Sequence, residues 1–294
     1  MEIRRLWATN RRVHLLTRRQ FLWSGATAAG GALGLGLYSW RVEPHWLEIT
    51  KRTLPIADLP HSLAGATLAH LSDLHVGPRV ANDYLTSTLK TVQGLKPDIV
   101  AYTGDFITNG EPAYFDQLSE VMKYTPLGRL ATIAALGNHD YGQGWSHPEV
   151  GDEVKKRLAS RGIQVLCNQR CFVSGLQVVG LDDLWGPRFS PLRIMSKIET
   201  KAPTLVLCHN PDVADLPVWL EFKGWILSGH THGGQCKPPF LPPPVLPVRN
   251  KRYTAGYFDL GDGRWLYISR GVGHLLPVRF NVRPEVTLFT LVKA

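Results

Sequence analysis

The chain is short of cysteine: Cys167, Cys171, Cys208 and Cys236 are all it has in 294 residues. No CxxC pair occurs among them, which argues against a cysteine zinc site. If all four paired, three disulfide connectivities would be open. Cys167 and Cys171 can bridge if they flank a turn, and buried free thiols are the alternative. The body also lacks internal repeats and long low-complexity tracts. With 44% hydrophobic and 19% charged residues the composition is that of a globular protein, which excludes disorder, collagen and coiled coil.

Acidic residues are scarce in one place. Residues 1–40 contain Arg4, Arg5, Arg11, Arg12, Arg18 and Arg19 against the single Glu2, so this stretch supplies more than half of the formal net charge of +9. The remaining residues carry 27 Lys and Arg against 23 Asp and Glu. An overall excess of this size points to nucleic acid, but charge confined to a leader describes the leader. The body has no dense basic run with interleaved aromatics apart from Arg249 to Tyr253, so nucleic acid is disfavoured as a partner.

From Phe21 to Trp40 there is no formal charge, and the run is weakly hydrophobic and rich in Gly and Ala. A helix of that length spans roughly 30 Å, a bilayer core. The preceding Thr17-Arg18-Arg19-Gln20-Phe21-Leu22 resembles a bacterial twin-arginine export signal. The resemblance implies the twin-arginine translocase as a partner and passage of an already folded, metal-loaded protein. Ala26-Thr27-Ala28 has the small-x-small form of a cleavage site but lies too early, and Tyr38 to Arg41 reads as an interfacial anchor. Four segments are therefore expected: an arginine-rich cytoplasmic leader over 1–20, a transmembrane anchor or signal h-region over 21–40, a connector over 41–64 and a functional domain over 65–294. The arginine excess predicts a single N-terminal anchor in the bacterial cell membrane, with the body on the outer, periplasmic side.

In the body a short apolar run repeatedly ends in a polar cluster. Ala66 to Leu71 leads to Ser72-Asp73-Leu74-His75, Ile99 to Thr103 to Gly104-Asp105, and Leu130 to Leu136 to Gly137-Asn138-His139-Asp140. Thr204 to Leu207 leads through Cys208 to His209-Asn210, and Trp225 to Leu227 to Ser228-Gly229-His230-Thr231-His232. Such runs read as buried strands with chemistry at their C-terminal ends. Helical stripes lie between them: Leu85, Leu89 and Val92 after a possible N-cap at Asn82; Phe115, Leu118, Val121 and Met122; and Val150, Val154 and Leu158, stopped by Gly162. Hairpins are expected around Ser174-Gly175 and Asp262-Gly263, with a last strand over Val286 to Val292. The pattern predicts an α/β (α+β) domain with two mixed sheets and helices outside them.

Asp73 and His75 are two apart, as are His230 and His232, and an extended backbone puts such pairs on one face. With Asp105, Asn138 and His209 they make seven N- or O-donor side chains, enough for two divalent ions if one carboxylate bridges. DxH, GD, GNHD, a lone His and GHTH in this order resemble the calcineurin-like metallophosphoesterases. The resemblance covers about residues 66 to 290. It implies a four-layer αββα sandwich in which Asp73, His75 and His232 hold one metal, Asn138, His209 and His230 the second, and Asp105 bridges them. His139 is then the non-ligand histidine beside the leaving group, and Asp140 its orienting partner. The donor set suits Mn, Fe or Zn rather than Ca.

The longer forms Cys208 to Asp212, Gly229 to Gln235, and Ser269-Arg270-Gly271 through Arg279 to Pro284-Glu285 resemble a membrane-anchored or exported bacterial branch. That branch includes UDP-2,3-diacylglucosamine hydrolases of lipid A biosynthesis. Protein-phosphatase members place Asp and Arg after the bridging Asp, where this chain has Phe106-Ile107-Thr108-Asn109, which disfavours phosphoprotein substrates. The implied activity is phosphodiester or pyrophosphate hydrolysis by metal-activated water on a phosphate-ester small molecule or lipid-linked substrate. The rivals are a UDP-2,3-diacylglucosamine diphosphatase and a non-enzymatic metal-binding scaffold.

His70, His147 and His274 read as structural histidines, with His274, in a glycine-rich loop, the one placed to line a pocket. Asp182 and Asp183 bind substrate or cap a turn, with turn chemistry preferred; Asp183, His274 and Arg249 are the candidate substrate contacts. Pro238 to Pro247 is either a rigid extended loop or an apolar lip dipping toward lipid, with Arg249, Lys251 and Arg252 near headgroup phosphates.

Overall fold

The computed structural model describes residues 17–294; Arg4, Arg5, Arg11 and Arg12 of the leader lie outside the described residues. Contacts divide the chain into one unit ending at Tyr38 and a second running Ser39–Ala294.

In the first unit, helix α1 (Arg18–Leu37) begins on a capping box: Gln20 N–H donates to Thr17 Oγ1 while Thr17 N–H donates to the Gln20 side chain. The Thr17 to Gln20 part of the export-like motif is thus also a helix start. The helix has the length of a bilayer span, but Gly, Ala, Ser and Thr fill much of it. No helix among the described residues is long and apolar enough to cross a membrane. The transmembrane anchor expected over 21–40 is therefore not met by this helix.

The second unit follows the order β1 (Glu48–Ile56), β2 (Thr67–Leu71), α2 (Asn82–Gly94), β3 (Ile99–Thr103), α3 (Pro112–Val121), β4 (Ala131–Ala135), α4 (Pro148–Ala159) and β5 (Gln164–Val165). It continues with β6 (Gln169–Val173), β7 (Leu176–Gly180), α5 (Pro191–Met195), β8 (Thr204–Leu207), β9 (Gly224–Ser228), β10 (Gly256–Asp259), β11 (Arg264–Ile268) and β12 (Glu285–Lys293). The strands form two six-stranded sheets, ordered β1-β12-β2-β3-β4-β5 and β10-β11-β9-β8-β7-β6. In the first, β2 to β5 run parallel; in the second, β11, β9, β8 and β7 do, and the remaining pairings make both sheets mixed.

Three apolar clusters account for the layers. Leu68, Ile99, Ala101 and Ile133 of one sheet meet Leu176, Val178, Leu205 and Leu227 of the other in a core between the sheets. Leu85, Leu89, Leu118, Val154 and Leu158 seat α2, α3 and α4 on the outer face of the first sheet. Ile194, Val213, Trp219 and Phe222 cover the outer face of the second with α5 and short turns. Each fully buried Leu or Val contributes about 1.5–3 kcal/mol to holding these layers. Helix-period stripes and four- to seven-residue apolar runs mark opposite sides of the same sheets, which is why both patterns were readable.

Two expectations change. The connector over 41–64 is largely part of the fold: β1 pairs in parallel with β12 along nine residues, and the buried Glu43 accepts a hydrogen bond from Val282 N–H. Its sequence hides this because β1 is an edge strand with exposed Lys51 and Arg52, the polarity that keeps an edge from pairing with another chain. Asn82 is the first helical residue and not the cap; its side-chain oxygen accepts from Gln117 at 2.5 Å. All four cysteines are free thiols, including Cys167 and Cys171.

His70 lies fully buried against Phe289, with Nε2 2.9 Å from Thr103 Oγ1, as expected of a structural histidine. Burial lowers its pKa from 6.5 to about 4, against a smaller pull from Glu285. Between those two values the unfolded chain takes up a proton that the folded chain excludes. Stability therefore falls as pH falls, by about 1.4 kcal/mol per pH unit from this site. His70→Gln, which keeps a donor toward Thr103, is expected to remove that part of the slope in urea titrations between about pH 7 and pH 5. An unchanged slope would contradict the assignment.

Candidate metal centre and its cleft

The parallel strands of both sheets end on one rim. Asp73 follows β2, Asp105 follows β3, Asn138 follows β4, His209 follows β8 and His230 follows β9, so five carboxyl ends from two sheets deliver side chains to one place. Asp73, His75 and His232 form one buried trio and Asp105, His209 and His230 another, with the ligand atoms in each within 4.8 Å of one another. Across the trios, His75 Nε2 stands 3.5 Å from Asp105 Oδ2. Asp105 therefore lies between the two groups.

The local backbone differs from the extended pairs expected. Asp73, His75, Asp105, His230 and His232 all have positive φ, between 49° and 70°. A left-handed residue costs about 1–3 kcal/mol outside glycine, and such strain persists only where surrounding structure imposes it. Here the loops brace one another: Asp73 N–H donates to Gly104 O, His75 N–H to Asp105 O and Val76 N–H to Phe106 O. Gly229 is required by close approach, since a Cβ there would strike Ser72 Oγ and Asp73 Oδ2. Gly137 likewise leaves room for the Asp105 carboxylate.

Carbonyls fix the rings. His209 Nδ1 donates to Thr103 O at 2.6 Å, leaving Nε2 3.1 Å from Asp105 Oδ2. His230 Nε2 donates to Pro247 O at 2.8 Å, leaving Nδ1 3.3 Å from His209 Nε2. His75 and His232 face each other through their Nε2 atoms at 3.0 Å, and His232 Nε2 is 3.3 Å from Asp73 Oδ1. Such outer hydrogen bonds select which nitrogen is free to ligate.

Burial dominates the electrostatics. It lowers His75 and His232 well below their ordinary value and His230 to about 3, and raises Asp73 to about 6. At Asp105 burial is outweighed by His209, His139 and His75, which hold the carboxyl well below its usual range. At His209 it is outweighed by Asp105, which holds the ring well above its ordinary value. Neutral imidazoles around carboxylates suit a divalent cation. Asn138 adds to the fit: both its amide atoms are buried without a hydrogen-bond partner, as is His75 Nδ1.

His139 sits beside this group, its ring edge-on to His75 at 5.1 Å. Its Nδ1 donates to Thr108 O at 2.8 Å, so Nε2 is the nitrogen left for proton exchange. Asp140 does not orient it. The Asp140 carboxylate instead accepts the backbone N–H groups of Asp105, Phe106, Ile107 and Gly137, clamping the Gly104 loop; burial, with Asp105 close by, raises its pKa to about 8.

A cleft of about 790 Å³ opens over the centre. Asp105, Asn138, His139, His230 and His232 line its floor, and Trp145, Trp185, Pro244, Val245, Leu276 and Val278 its mainly apolar walls. Trp145 stacks on Trp185 at 4.7 Å, and Trp185 meets His230 edge-on at 4.5 Å. The sequence reading missed both tryptophans, whose only local sign was a lone aromatic beside glycine, Gly144-Trp145 and Trp185-Gly186.

None of the three candidate substrate contacts faces this cleft. Asp183 is buried and caps the turn under the wall, accepting Trp185 N–H at 2.8 Å, and burial raises its pKa to about 7. His274 is buried, Nε2 donating to Arg79 O at 3.1 Å, while its neighbours Leu275 and Leu276 supply the lining. Arg249 donates its backbone N–H to Asp212. Asp182 lines a separate groove of about 840 Å³ with Arg170, Arg188 and Arg193, and no candidate ligand reaches it.

The tail motif is structural. Arg279 is fully buried and donates to the carbonyls of Arg270, Gly271, Gly273 and Val282, holding the loop that packs on Asp73. Glu285 pairs with Arg270 at 3.0 Å and accepts from Thr50 and Tyr267, tying β12 to β1 and β11.

The sequence signature described as "Calcineurin-like phosphoesterase" matches residues 66–234, which contain Asp73, His75, Asp105, Asn138, His139, His209, His230 and His232. "Phosphodiesterase YaeI" of Escherichia coli (strain K12) is 34% identical over 285 residues, covering 95% of this chain and 100% of that one. "Uncharacterized metallophosphoesterase YkuE" of Bacillus subtilis (strain 168) is 33% identical over 294 residues, covering 94% and 98%. "UDP-2,3-diacylglucosamine pyrophosphatase LpxG" of Chlamydia trachomatis is 25% identical over 303 residues, covering 84% and 90%. The chain thus belongs to the calcineurin-like metallophosphoesterases, hydrolases that act on phosphate esters.

Proposed function

We infer that this protein hydrolyses a phosphodiester or pyrophosphate bond at a dinuclear metal centre, on a substrate with an apolar lipid or nucleotide portion. The observation that carries the reading is the pair of buried ligand trios set around Asp105 at the floor of an apolar-walled cleft. In this reading Asp73, His75 and His232 hold one ion, Asn138, His209 and His230 the other, and Asp105 serves both. Two such ions supply Lewis acidity for water attack and for charge on the phosphoryl oxygens. The chain's own part is to hold the ligands in their ligating tautomers, to exclude water with Trp145 and Trp185, and to give a proton from His139 Nε2 to the leaving oxygen. The complete ligand set weighs against a degenerate site, and Mn, Fe or Zn suits it.

A second reading, a UDP-2,3-diacylglucosamine diphosphatase acting in lipid A synthesis, is favoured by the cleft's apolar walls and by the printed activity of LpxG. The two readings differ in where the body works. The twin-arginine-like leader supports translocase export and a periplasmic body at the cell membrane, and the weak apolarity of α1 suits a signal h-region better than a span. A lipid A enzyme works on the cytoplasmic side. Protease added to spheroplasts is expected to degrade the Ser39–Ala294 body; complete protection would favour the second reading.

Metal analysis of the purified protein is expected to give about two Mn, Fe or Zn per chain, with diesterase activity lost to a chelator and restored by Mn. Less than one ion per chain at full activity would sink the dinuclear reading. His139→Ala is expected to lower kcat about a hundredfold or more on diesters with alkyl leaving groups, and much less with p-nitrophenol, which leaves without a proton. An equal loss on both would assign His139 a structural role instead.

A further inference from the structure

The Pro238 to Pro247 segment runs from beside the metal centre to the surface. Phe240 is fully exposed, Val245 is 72% exposed, and Leu276 on the facing segment is 60% exposed. These residues continue the cleft: Val245 and Leu276 belong both to its wall and to its rim. At Val245 and Leu276 the apolar wall of the cleft thus reaches solvent, and Phe240 and Leu241 are exposed on the same segment as Val245.

The rim is held in place. Gln235 Nε2 donates to Leu276 O at 3.1 Å and Val278 O at 3.0 Å, joining its two sides. Lys251 Nζ donates to Leu246 O and Val248 O, closing the far end. Pro243 packs where a side chain on Gly234 would lie, two residues after the ligand His232.

Charge points to the occupant. From Thr231 to Phe258 the chain carries exposed Lys237, Arg249, Lys251 and Arg252 and no carboxylate, and from Gly271 to Pro284 it carries the part-exposed Arg283 and again none. Exposed apolar tips flanked by cations match an anionic bilayer, whose headgroups take the charge and whose acyl boundary takes the side chains. A cleft that is apolar up to a phosphate-cleaving floor matches a molecule whose phosphate lies at that same boundary.

We propose that the Pro238 to Pro247 rim docks on an anionic lipid surface through Phe240 and Leu241, so that a lipid phosphodiester or pyrophosphate enters the cleft directly from the bilayer. This rests on the phosphohydrolase reading for its substrate but not for the docking itself. The docking also reaches the centre, because Pro247 O accepts from the ligand His230.

The full chain carrying Phe240→p-benzoylphenylalanine is irradiated with vesicles of phosphatidylcholine and phosphatidylglycerol, with the same replacement at exposed Tyr124 as control. Lipid adducts at position 240 well above those at 124 are expected. In parallel, the double variant Phe240→Ser, Leu241→Ser is expected to match wild type on a soluble chromogenic diester and to lose about tenfold on a lipid diester presented in the same vesicles. Adducts no more frequent at 240 than at 124, adducts to protein instead of lipid, or equal rates on vesicle-borne substrate would each overturn the docking. If wild type hydrolyses neither substrate, the functional reading fails, and the adducts alone decide the docking.

Discussion

Four strand ends from two sheets must bring their ligand atoms into groups within 4.8 Å of one another, with Asn138 from a fifth beside them, and the rest of the site follows from that convergence. In an extended DxH or HTH both ligands stand on one face of the strand, roughly 6.6 Å apart and perpendicular to the sheet, so they do not converge past the sheet edge on one point. The chain solves this by turning Asp73, His75, Asp105, His230 and His232 into the left-handed region. That conformation is costly for residues with a Cβ, and the cost is borne by loop-to-loop hydrogen bonds and by glycines that let the loops touch. Asp140 belongs to this bracing. Its four N–H bonds fix the turn that carries Asp105, which explains a carboxylate beside His139 without giving it a catalytic part.

Convergence also sets the electrostatics. Burial alone would neutralise every group, and for His75, His230 and His232 it does. At Asp105 and His209 the neighbouring charges overcome burial, and each holds the other ionised. The site thus sets neutral imidazoles around carboxylates, with Asp105 and His209 as its ion pair, a donor set that would hold a divalent cation. Arg279 makes a contrast. It is a buried cation near the same loops, and its guanidinium donates to four backbone carbonyls and reaches His232 Nδ1 at 3.4 Å, so it braces the loops and one ligand ring.

What was legible in the sequence was what the fold repeats locally. Apolar runs ending in His, Asp or Asn marked β2, β3, β4, β8 and β9, since a strand buried on both faces has no polar alternation to confuse it. The hairpins at Ser174-Gly175 and Asp262-Gly263 followed from turn chemistry, and each is an antiparallel pair in the structure. Features set by distant contacts were not legible. Strand β1 is polar because it is an edge, and it exists because β12 and Glu43 bind it. Trp145 and Trp185 lie 40 residues apart and become one wall only when the loops after β4 and β7 meet. Asp183 and His274 were expected to touch substrate, but their partners turn them inward: Trp185 N–H takes the carboxylate and Arg79 O takes the ring.

The wall and the rim give the centre a direction. Metal ligands alone fix where a phosphate reacts, not from which side it arrives. His230 links the two questions, because one ring nitrogen faces His209 while the other is held by Pro247 of the apolar rim and its face is covered by Trp185. A displacement of the rim is therefore felt at a ligand, and a site so arranged responds to what occupies its mouth as well as to what reaches its floor. The basic excess of the whole chain then divides into two parts: arginines of the leader, and a stretch free of carboxylates from Thr231 to Phe258 that begins at the ligand cage and carries Pro244, Val245 and Pro247 of the cleft wall.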